Sequence, residues 1–381
     1  MPHRLPPARV AGLLIPSLVL LMLGLLGIAR GDALVDGDRL PRQMAFAVVA
    51  ATIGCGVAAI PYRCLRMVAT PAFLLSLTLL AAVFLFPARG GSRRWIPLGP
   101  IDLQASEIAK VAFVVALASH LASSRLTLTL RGTLLAIAMA AVPMLLVLRE
   151  PDLGTALLFG PATLAMLLAA GSRRRDLAMI LLAGFVLLPV LWLGMSAEQR
   201  SRVTAVTSQA DGGPAPQGDG YHLHQSKQVL AIGGPTGRPL DDVLAREPLS
   251  HHLPAARTDF VLCLIGQRLG LLGTLGTLAA FGLIAWSAMG IAARTRDPFG
   301  RLLTVGLATL IVTQATVNAA MTVGLLPITG VTLPLCSYGG SSLAATAASL
   351  GLVASVARHV GYEVAETVFW WEPAGEMRSA A

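Results

Sequence analysis

The sequence predicts an all-α integral membrane protein, folded as a single bundle of about ten transmembrane helices with both termini in the cytoplasm. Two observations predict this class. Of the 381 residues, 55% are hydrophobic and only 13% are charged, whereas soluble domains contain about 25% charged residues. In addition, apolar stretches of membrane-spanning length recur along the chain, and the segments between them are rich in arginine.

Ten apolar stretches are long enough, or nearly long enough, to cross a bilayer as helices. They lie at residues 10–29, 44–60, 67–86, 107–122, 133–149, 154–171, 177–195, 259–289, 303–325 and 341–357. Helices are expected because an open sheet would leave backbone groups unpaired in lipid. None of the stretches has the alternating apolar and polar pattern of a barrel strand.

The distribution of arginine predicts the orientation of the bundle. With the N-terminus inside, the inner segments hold about twice as many arginines as the short outer segments, and the triplet Arg173–Arg175 is the strongest inner marker. This orientation places one long loop, residues 196–258, outside the membrane between the seventh and eighth helices. We therefore expect one membrane domain over residues 1–358 and a cytoplasmic tail over residues 359–381.

The formal net charge of +9 suits anionic membrane lipids better than nucleic acid. The arginines form short clusters between apolar stretches, without interleaved aromatic residues. The four cysteines lack the spacing of a zinc site or of a disulfide framework. Four histidines (His222, His224, His251 and His252) share the long outer loop without a recognisable ligand spacing. The sequence therefore predicts no metal site and no nucleic-acid partner.

Ionisable residues in or beside the predicted spans are candidates for function. Glu107 and Lys110 are three residues apart on one helix face, so they can pair, and the pair either stabilises the bundle or serves a function. Asp152 follows Pro151 and either caps the sixth span or belongs to a site. Asp259 begins the eighth span and either caps that helix or acts as a general base at the outer membrane surface.

The connection between the ninth and tenth spans has an unusual composition. Residues 327–342 combine two prolines, paired glycines and several hydroxyl side chains. This composition predicts kinked or re-entrant backbone. Such backbone at membrane depth must be enclosed by protein or must line a wet cavity.

Eight short motifs, in order along residues 10–358, resemble those of the SEDS family (shape, elongation, division and sporulation), which includes RodA and FtsW. They are Arg93-Arg94-Trp95-Ile96 with Leu98-Gly99, Gln104-Ala105-Ser106-Glu107 with Lys110, Pro151-Asp152-Leu153-Gly154-Thr155, Gly220-Tyr221-His222 with Gln225-Ser226-Lys227, Leu253-Pro254, Thr258-Asp259-Phe260, Pro327-x-Thr329-Gly330 and Ser337-Tyr338-Gly339-Gly340-Ser341-Ser342. The fourth and fifth motifs are more similar to RodA than to FtsW.

The resemblance implies a ten-helix enzyme of the bacterial cytoplasmic membrane, a peptidoglycan glycosyltransferase that polymerises lipid II at the outer face. It also implies a class B penicillin-binding protein as partner, in cell elongation or division. By the same resemblance, Asp259 is the catalytic residue. The substrate-binding residues that we expect are Arg93, Trp95, Glu107, Lys110, Asp152, Gln225, Ser226, Lys227, Thr258, Ser337 and Tyr338.

In this hypothesis Asp259 takes the proton of the acceptor hydroxyl. The leaving diphosphate needs cationic partners. The candidates are Arg93, Arg94, Lys110, Lys227 and Arg257, with or without a divalent cation, Mg²⁺ or Mn²⁺. Two other functions stay open: a flippase for lipid-linked precursors, which intramembrane charges would permit, and a noncatalytic scaffold for a penicillin-binding protein.

Some positions depart from the pattern of the SEDS family. Ala255 stands where an acidic residue is usual, Arg257 replaces a common histidine, and Gln267-Arg268 replaces a usual pair of glutamates. Fewer acids and an added arginine near Asp259 should favour the ionised form of its carboxyl group. The same departures leave room for a weakened enzyme and lend weight to the scaffold hypothesis.

Overall fold

The computed structural model describes residues 7–35, 37–88, 92–97, 99, 102–123, 129–207, 219–239, 253 and 255–359. The predicted tail, apart from His359, lies outside the described residues, as do Pro254 and parts of the long outer loop. Within the described ranges the chain is nearly all helical. The helices are α1 (Pro7–Val35), α2 (Arg39–Ala59), α3 (Cys64–Ala82, followed by the 3-10 turn Val83–Leu85), α4 (Ala105–Ser123), α5 (Leu130–Arg149), α6 (Leu153–Ala169), α7 (Arg174–Gly194), α8 (Ala197–Thr207), α9 (Asp219–Ile232), α10 (Val261–Ala292), α11 (Pro298–Val323) and α12 (Gly340–Arg358).

Each predicted apolar stretch coincides with one helix. Among the described residues, eight helices are long and apolar enough to cross a membrane, namely α1–α5 and α10–α12, and α6 is a shorter apolar helix. Helix α7 occupies the remaining predicted stretch, whereas α8 and α9 are short helices within the predicted outer loop. The all-α membrane class is therefore confirmed, and the number of ten crossings stays a prediction.

Helices α4, α11 and α12 form the buried centre of the bundle. Helix α11 packs against α4, α6, α10 and α12, while α1 packs along α10 and α2 along α12. Close approach depends on small residues: a Cβ placed on Gly351 of α12 would lie 2.4 Å from the carbonyl oxygen of Gly54 in α2. Packing of this kind is typical of membrane helices, whose association depends on close contact because lipid is as apolar as the interface.

The outer surface of the bundle is apolar. Large side chains such as Leu18, Val48, Leu75 and Leu182 are well exposed on α1, α2, α3 and α7. In water such a surface would drive aggregation, whereas in a bilayer it faces lipid tails at no cost. The exposure therefore agrees with a multi-pass membrane protein.

The segment after α11 is irregular and enclosed, as its composition predicts. Gly324 ends α11 in the left-handed conformation, with φ 83°. From there to the start of α12 the chain has no regular secondary structure, yet much of it is buried, including Ile328, Val331 and Leu333. The side-chain amide of Asn318 donates to the Val331 carbonyl at 2.7 Å. A side chain of α11 thus bonds to a backbone group that regular secondary structure leaves unpaired.

A two-stranded antiparallel hairpin lies before α4. Strands β1 (Trp95–Pro97) and β2 (Asp102–Gln104) pair Trp95 with Gln104. The hydroxyl group of Ser341, at the start of α12, donates to the Asp102 carbonyl at 2.9 Å and accepts from the Gln104 N–H at 3.2 Å. The hairpin is thereby held over the end of the bundle that the arginine pattern places outside.

Candidate functional site

A cavity of about 280 Å³ opens at the predicted outer end of the bundle. Its walls come from the hairpin, the first turn of α4, the α5–α6 junction, α8, the turn before α10 and the enclosed segment after α11. The side chains that line it are mostly polar. They include Arg94, Trp95, Gln104, Glu107, Thr155, Gln199, Arg202, Thr258, Asp259, Gln314, Thr332, Tyr338, Ser341 and Ser342.

Asp259 lies in a tight turn just before α10. The turn begins at Ala255, which adopts a left-handed conformation with φ 54° and whose carbonyl accepts from the Asp259 N–H at 2.9 Å. The amide of Asn318 donates to the Asp259 carbonyl at 2.7 Å and so ties the turn to α11. The N-cap of α10 is Phe260, without a side-chain cap. Helix capping, one of the two roles considered for Asp259, is therefore not observed.

The electrostatic environment of Asp259 differs from the sequence-based expectation. Burial raises the pKa of its carboxyl group, and the negative charge of Asp152 raises it further, while a hydrogen bond from Thr258 and the charge of Arg94 lower it. Arg257 was expected to stabilise the ionised form. It bonds instead to Asp32, with Nη1 2.6 Å from Oδ1, so that expectation was wrong.

Arg94 is held beside the cavity by the α5–α6 junction. Its Nε donates to the Glu150 carbonyl at 3.3 Å and its Nη2 to the Pro151 carbonyl. Its Nη1 lies 3.8 Å from Oδ2 of Asp152. A Cβ placed on Gly330 would lie 3.6 Å from Oδ2 of Asp259 and 3.9 Å from Nη1 of Arg94. The arginine and the aspartate therefore face the same small region of the cavity wall.

Asp152 serves as a helix cap, one of its two predicted roles. Its Oδ1 accepts from the Thr155 N–H at 3.1 Å at the start of α6. Its other oxygen faces Arg94, and the side chain is buried. The Asp152 carboxylate thus caps the start of α6 and also helps to hold Arg94 in position.

Glu107 and Lys110 form the predicted ion pair. The Lys110 Nζ lies 2.9 Å from Oε1 of Glu107 and donates to Oε1 of Gln314 at 2.8 Å. Both charged side chains are buried, and Glu107 with Gln314 reaches the cavity wall. A buried ion pair with an added hydrogen bond can persist in the bundle core. The bond from Lys110 to Gln314 links α4 to α11 below the cavity.

Five of the predicted site residues line the cavity: Trp95, Glu107, Thr258, Asp259 and Tyr338.

The other predicted residues lie elsewhere. Arg93 is exposed and donates to the Phe84 carbonyl at 3.0 Å, and the Ser337 hydroxyl accepts from the Leu333 N–H at 2.8 Å. Gln225, Ser226 and Lys227 lie on α9. There the Ser226 hydroxyl donates to the carbonyls of Leu223 and Thr322. These residues, like Lys110 and Asp152, stand behind or beside the cavity lining.

Glu150 is a notable residue to which the sequence assigned no role. It is fully buried, and neither carboxylate oxygen has a hydrogen-bond partner among the described residues. Burial, and then the negative charge of Asp152, raise its pKa to about 8, against a smaller opposing effect of Arg94. Arg202 of α8 and Gln314 of α11 were also missed. No local motif marks either residue, because each reaches the cavity only through the fold.

The donor set does not fit a preformed divalent-cation site. Across the described ranges, no three His, Cys, Asp or Glu side chains come together as metal ligands. Of the carboxylates nearest the cavity, Glu107 is paired with Lys110, and Asp152 faces Arg94.

Comparisons with known proteins identify the family. The family model for cell cycle proteins of the FtsW, RodA and SpoVE type matches residues 12–362. The chain belongs to the FtsW/RodA/SpoVE family. The resemblance to SEDS proteins is therefore confirmed.

Two relatives illustrate the similarity within the family. The peptidoglycan glycosyltransferase MrdB of Escherichia coli (strain K12) is 34% identical over 355 residues, which cover 90% of this chain and 93% of MrdB. The probable peptidoglycan glycosyltransferase FtsW of Trichlorobacter lovleyi is 35% identical over 325 residues, which cover 83% of each chain.

Solved structures of the FtsW/RodA/SpoVE family have the same fold. A chain from a structure on the coordination of polymerization and crosslinking by a peptidoglycan synthase complex has a TM-score of 0.78 and 30% identity, and covers 92% of this chain and 98% of its own. The rod shape determining protein RodA of Thermus thermophilus has a TM-score of 0.67 and 26% identity. The match covers 93% of this chain and 97% of the RodA chain.

Proposed function

We propose that the chain is a peptidoglycan glycosyltransferase that polymerises lipid II at the outer face of the bacterial cytoplasmic membrane. Relatives named as peptidoglycan glycosyltransferases, at about one third identity over most of the chain, support the activity. The observation that carries the mechanism is that Asp259 and Arg94 face the same part of the wall of a polar cavity at the predicted outer end of the bundle.

In the proposed reaction a sugar hydroxyl of the acceptor attacks the anomeric carbon of the lipid-linked donor. The new C–O bond forms as the bond from that carbon to the diphosphate oxygen breaks, and the hydroxyl proton passes to a carboxylate oxygen of Asp259. The polyprenyl diphosphate leaves with the bonding electrons. Arg94 and Arg202, which both line the cavity, supply positive charge where the diphosphate develops its negative charge.

The raised pKa of Asp259 suits this role. A base accepts a proton more readily as its pKa rises towards the working pH, provided that it is still ionised before the reaction. Desolvation raises the pKa, and Arg94 limits the rise. A raised pKa makes the carboxylate a stronger base, and the positive charge of Arg94 favours its ionised form.

The polymerisation assay tests the proposal. Purified protein, together with a matched class B penicillin-binding protein, would be incubated with labelled lipid II, and glycan length would be read on a gel. We expect wild type and Asp38→Asn to make polymer, since Asp38 is an exposed partner of Arg42, and Asp259→Asn to make none. Equal polymer from Asp259→Asn would remove that carboxylate from the mechanism.

Two further experiments, each read beside the polymerisation assay, separate the two alternative functions. Translocation of lipid II across sealed liposomes without polymer would favour the flippase. Normal growth of cells that carry Asp259→Asn, together with loss of growth on deletion, would favour the scaffold.

The proposal includes a class B penicillin-binding protein as partner. A similar chain comes from a synthase complex that coordinates polymerization and crosslinking, which supports this kind of assembly. Co-purification with the transpeptidase of the same organism tests it. For the cellular role we propose elongation, because the motif Gly220–Lys227 is of the RodA type; rescue of cells depleted of RodA, and not of FtsW, is the expected result.

The involvement of Mg²⁺ or Mn²⁺ is a separate question, and no step above uses a metal. Polymerisation in EDTA, with each cation then restored, measures it directly. A rate that depends on added cation would show that the reaction requires the ion.

A further inference from the structure

A second cavity, of about 600 Å³, lies at the outer end of α1, away from the site of the proposed reaction. Its walls come from α1, from the turn after α9 and from the start of α10. Ala29 and Ala33, one helical turn apart, leave the space open on the α1 side, and Arg30, Arg238 and Arg268 supply the charge. We propose that this pocket, here called the arginine pocket, binds the phosphate group of an anionic lipid of the outer leaflet.

The first argument is charge. Among the residues that the structure describes, three arginines line the arginine pocket and no acidic residue does. The nearby carboxylate of Asp32 bonds to Arg257 at 2.6 Å. Guanidinium groups held together repel one another, and an anion bound between them relieves that repulsion. Phosphate oxygens suit this geometry because arginine presents parallel N–H donors to them.

The second argument is that the pocket is rigidly built. The buried Arg30 donates to Oε1 of Gln267 at 3.1 Å and to the carbonyls of Arg238 and Pro239. Gln267 does not line the pocket, but through this bond it holds Arg30, which does, in a fixed position.

The backbone of the pocket is also fixed. The Arg238 N–H donates to the Gln267 carbonyl at 2.9 Å, and the Leu271 N–H to the Gly234 carbonyl at 2.9 Å. Gly270 kinks α10 with φ 68°, and a Cβ there would lie 2.4 Å from the Gly237 nitrogen. The turn after α9 and the kink in α10 therefore fit together only without a side chain at residue 270. The backbone that carries Arg238 and Arg268 is thus held in place by these contacts.

The third argument is the level of the pocket in the membrane. Arg268 donates through Nη1 to the Leu26 carbonyl, so its charge lies near the last turns of α1. One or two turns deeper, Met22 on α1 and Leu271 and Leu275 on α10 are exposed. A phosphate in the pocket would lie at headgroup level with apolar surface below it for acyl chains. This arrangement favours a lipid over a free anion.

Native mass spectrometry tests the proposal on the full chain, with phosphatidylglycerol and phosphatidylcholine as probes. The variants are Arg268→Gln, Arg238→Gln and their combination. Arg42→Gln is the matched control, since it removes the same charge from an exposed outer position. Arg30 is left unchanged because its loss would disturb the packing. Binding is measured without substrate, so the result does not depend on the proposed activity.

We expect wild type and Arg42→Gln to prefer phosphatidylglycerol. Each substitution in the arginine pocket should reduce that preference about fivefold, which corresponds to ~1 kcal/mol per arginine at a membrane surface. An equal preference in all variants would overturn the proposal. Displacement of the lipid by millimolar inorganic phosphate would also overturn it, because the pocket would then be a site for a soluble anion.

Discussion

Replacing Glu150 with glutamine should stabilise the protein in alkaline solution and have almost no effect in acid. Glu150 is fully buried at the end of α5, and its carboxylate oxygens have no hydrogen-bond partner among the described residues. Its pKa is about 8, against an ordinary value of 4.5. Glutamine has the same shape as the neutral acid but cannot ionise, so it isolates the effect of the charge.

The sign follows from the two pKa values. Between pH 4.5 and pH 8 the unfolded chain has lost a proton that the folded protein keeps, so the free energy of unfolding falls as pH rises. The slope is ~1.4 kcal/mol per pH unit, and the total loss is on the order of 5 kcal/mol. Stability from the neutral carboxyl group is complete below the unfolded pKa and is lost as pH rises through the folded pKa. The glutamine variant does not undergo this loss.

Thermal unfolding in detergent, followed by tryptophan fluorescence, measures the effect. Between pH 5 and pH 8.5 the melting temperature of Glu150→Gln should rise relative to wild type by on the order of 5–10 °C. Asp38→Asn serves as control because Asp38 is exposed, and its difference from wild type should stay constant. If the difference in melting temperature between Glu150→Gln and wild type does not change with pH, the inference that Glu150 is buried as a neutral carboxyl group is refuted.

Three further predictions concern the proposed reaction site. Glu107→Gln should cost ~3–5 kcal/mol, since it leaves Lys110 buried without its anion; the double variant with Lys110→Met should recover part of that loss in a thermal double-mutant cycle. Asn318→Ala should lower polymerisation by roughly 10–100-fold through displacement of Asp259, with a much smaller change in lipid II binding. Arg94→Gln should move the acid limb of the polymerisation rate to higher pH, because its charge lowers the pKa of Asp259; an unchanged limb would contradict this coupling.

The sequence predicted those features that depend on local patterns. Length and hydropathy located every long helix, because a spanning helix must be apolar along its whole length. The spacing of Glu107 and Lys110 predicted their ion pair, and the position of Asp152 before an apolar stretch predicted its capping bond. The last two features depend on residues within one helical turn.

Long-range contacts could not be predicted in this way. Arg257 and Asp32 pair across 225 positions of sequence, and no local rule indicated that Arg257 would turn away from Asp259. Arg30 and Gln267 meet across 237 positions. The resemblance to the SEDS family marked Gln267 as a departure from the usual acid, and only the fold explains it as the acceptor for Arg30.

The position of Arg94 explains how one cavity can serve an anionic substrate and a carboxylate base. Two of its bonds go to carbonyl oxygens of Glu150 and Pro151, which orient the guanidinium group without cancelling its charge. Asp152 offsets part of that charge from 3.8 Å, and Glu150, with its pKa of about 8, is mostly neutral at pH 7. Had both acids ionised, their two negative charges would offset the positive charges of Arg94 and Arg202, and the cavity would attract the diphosphate less. Burial of Glu150 therefore preserves the positive field that the proposed reaction needs at Asp259 and at the leaving group.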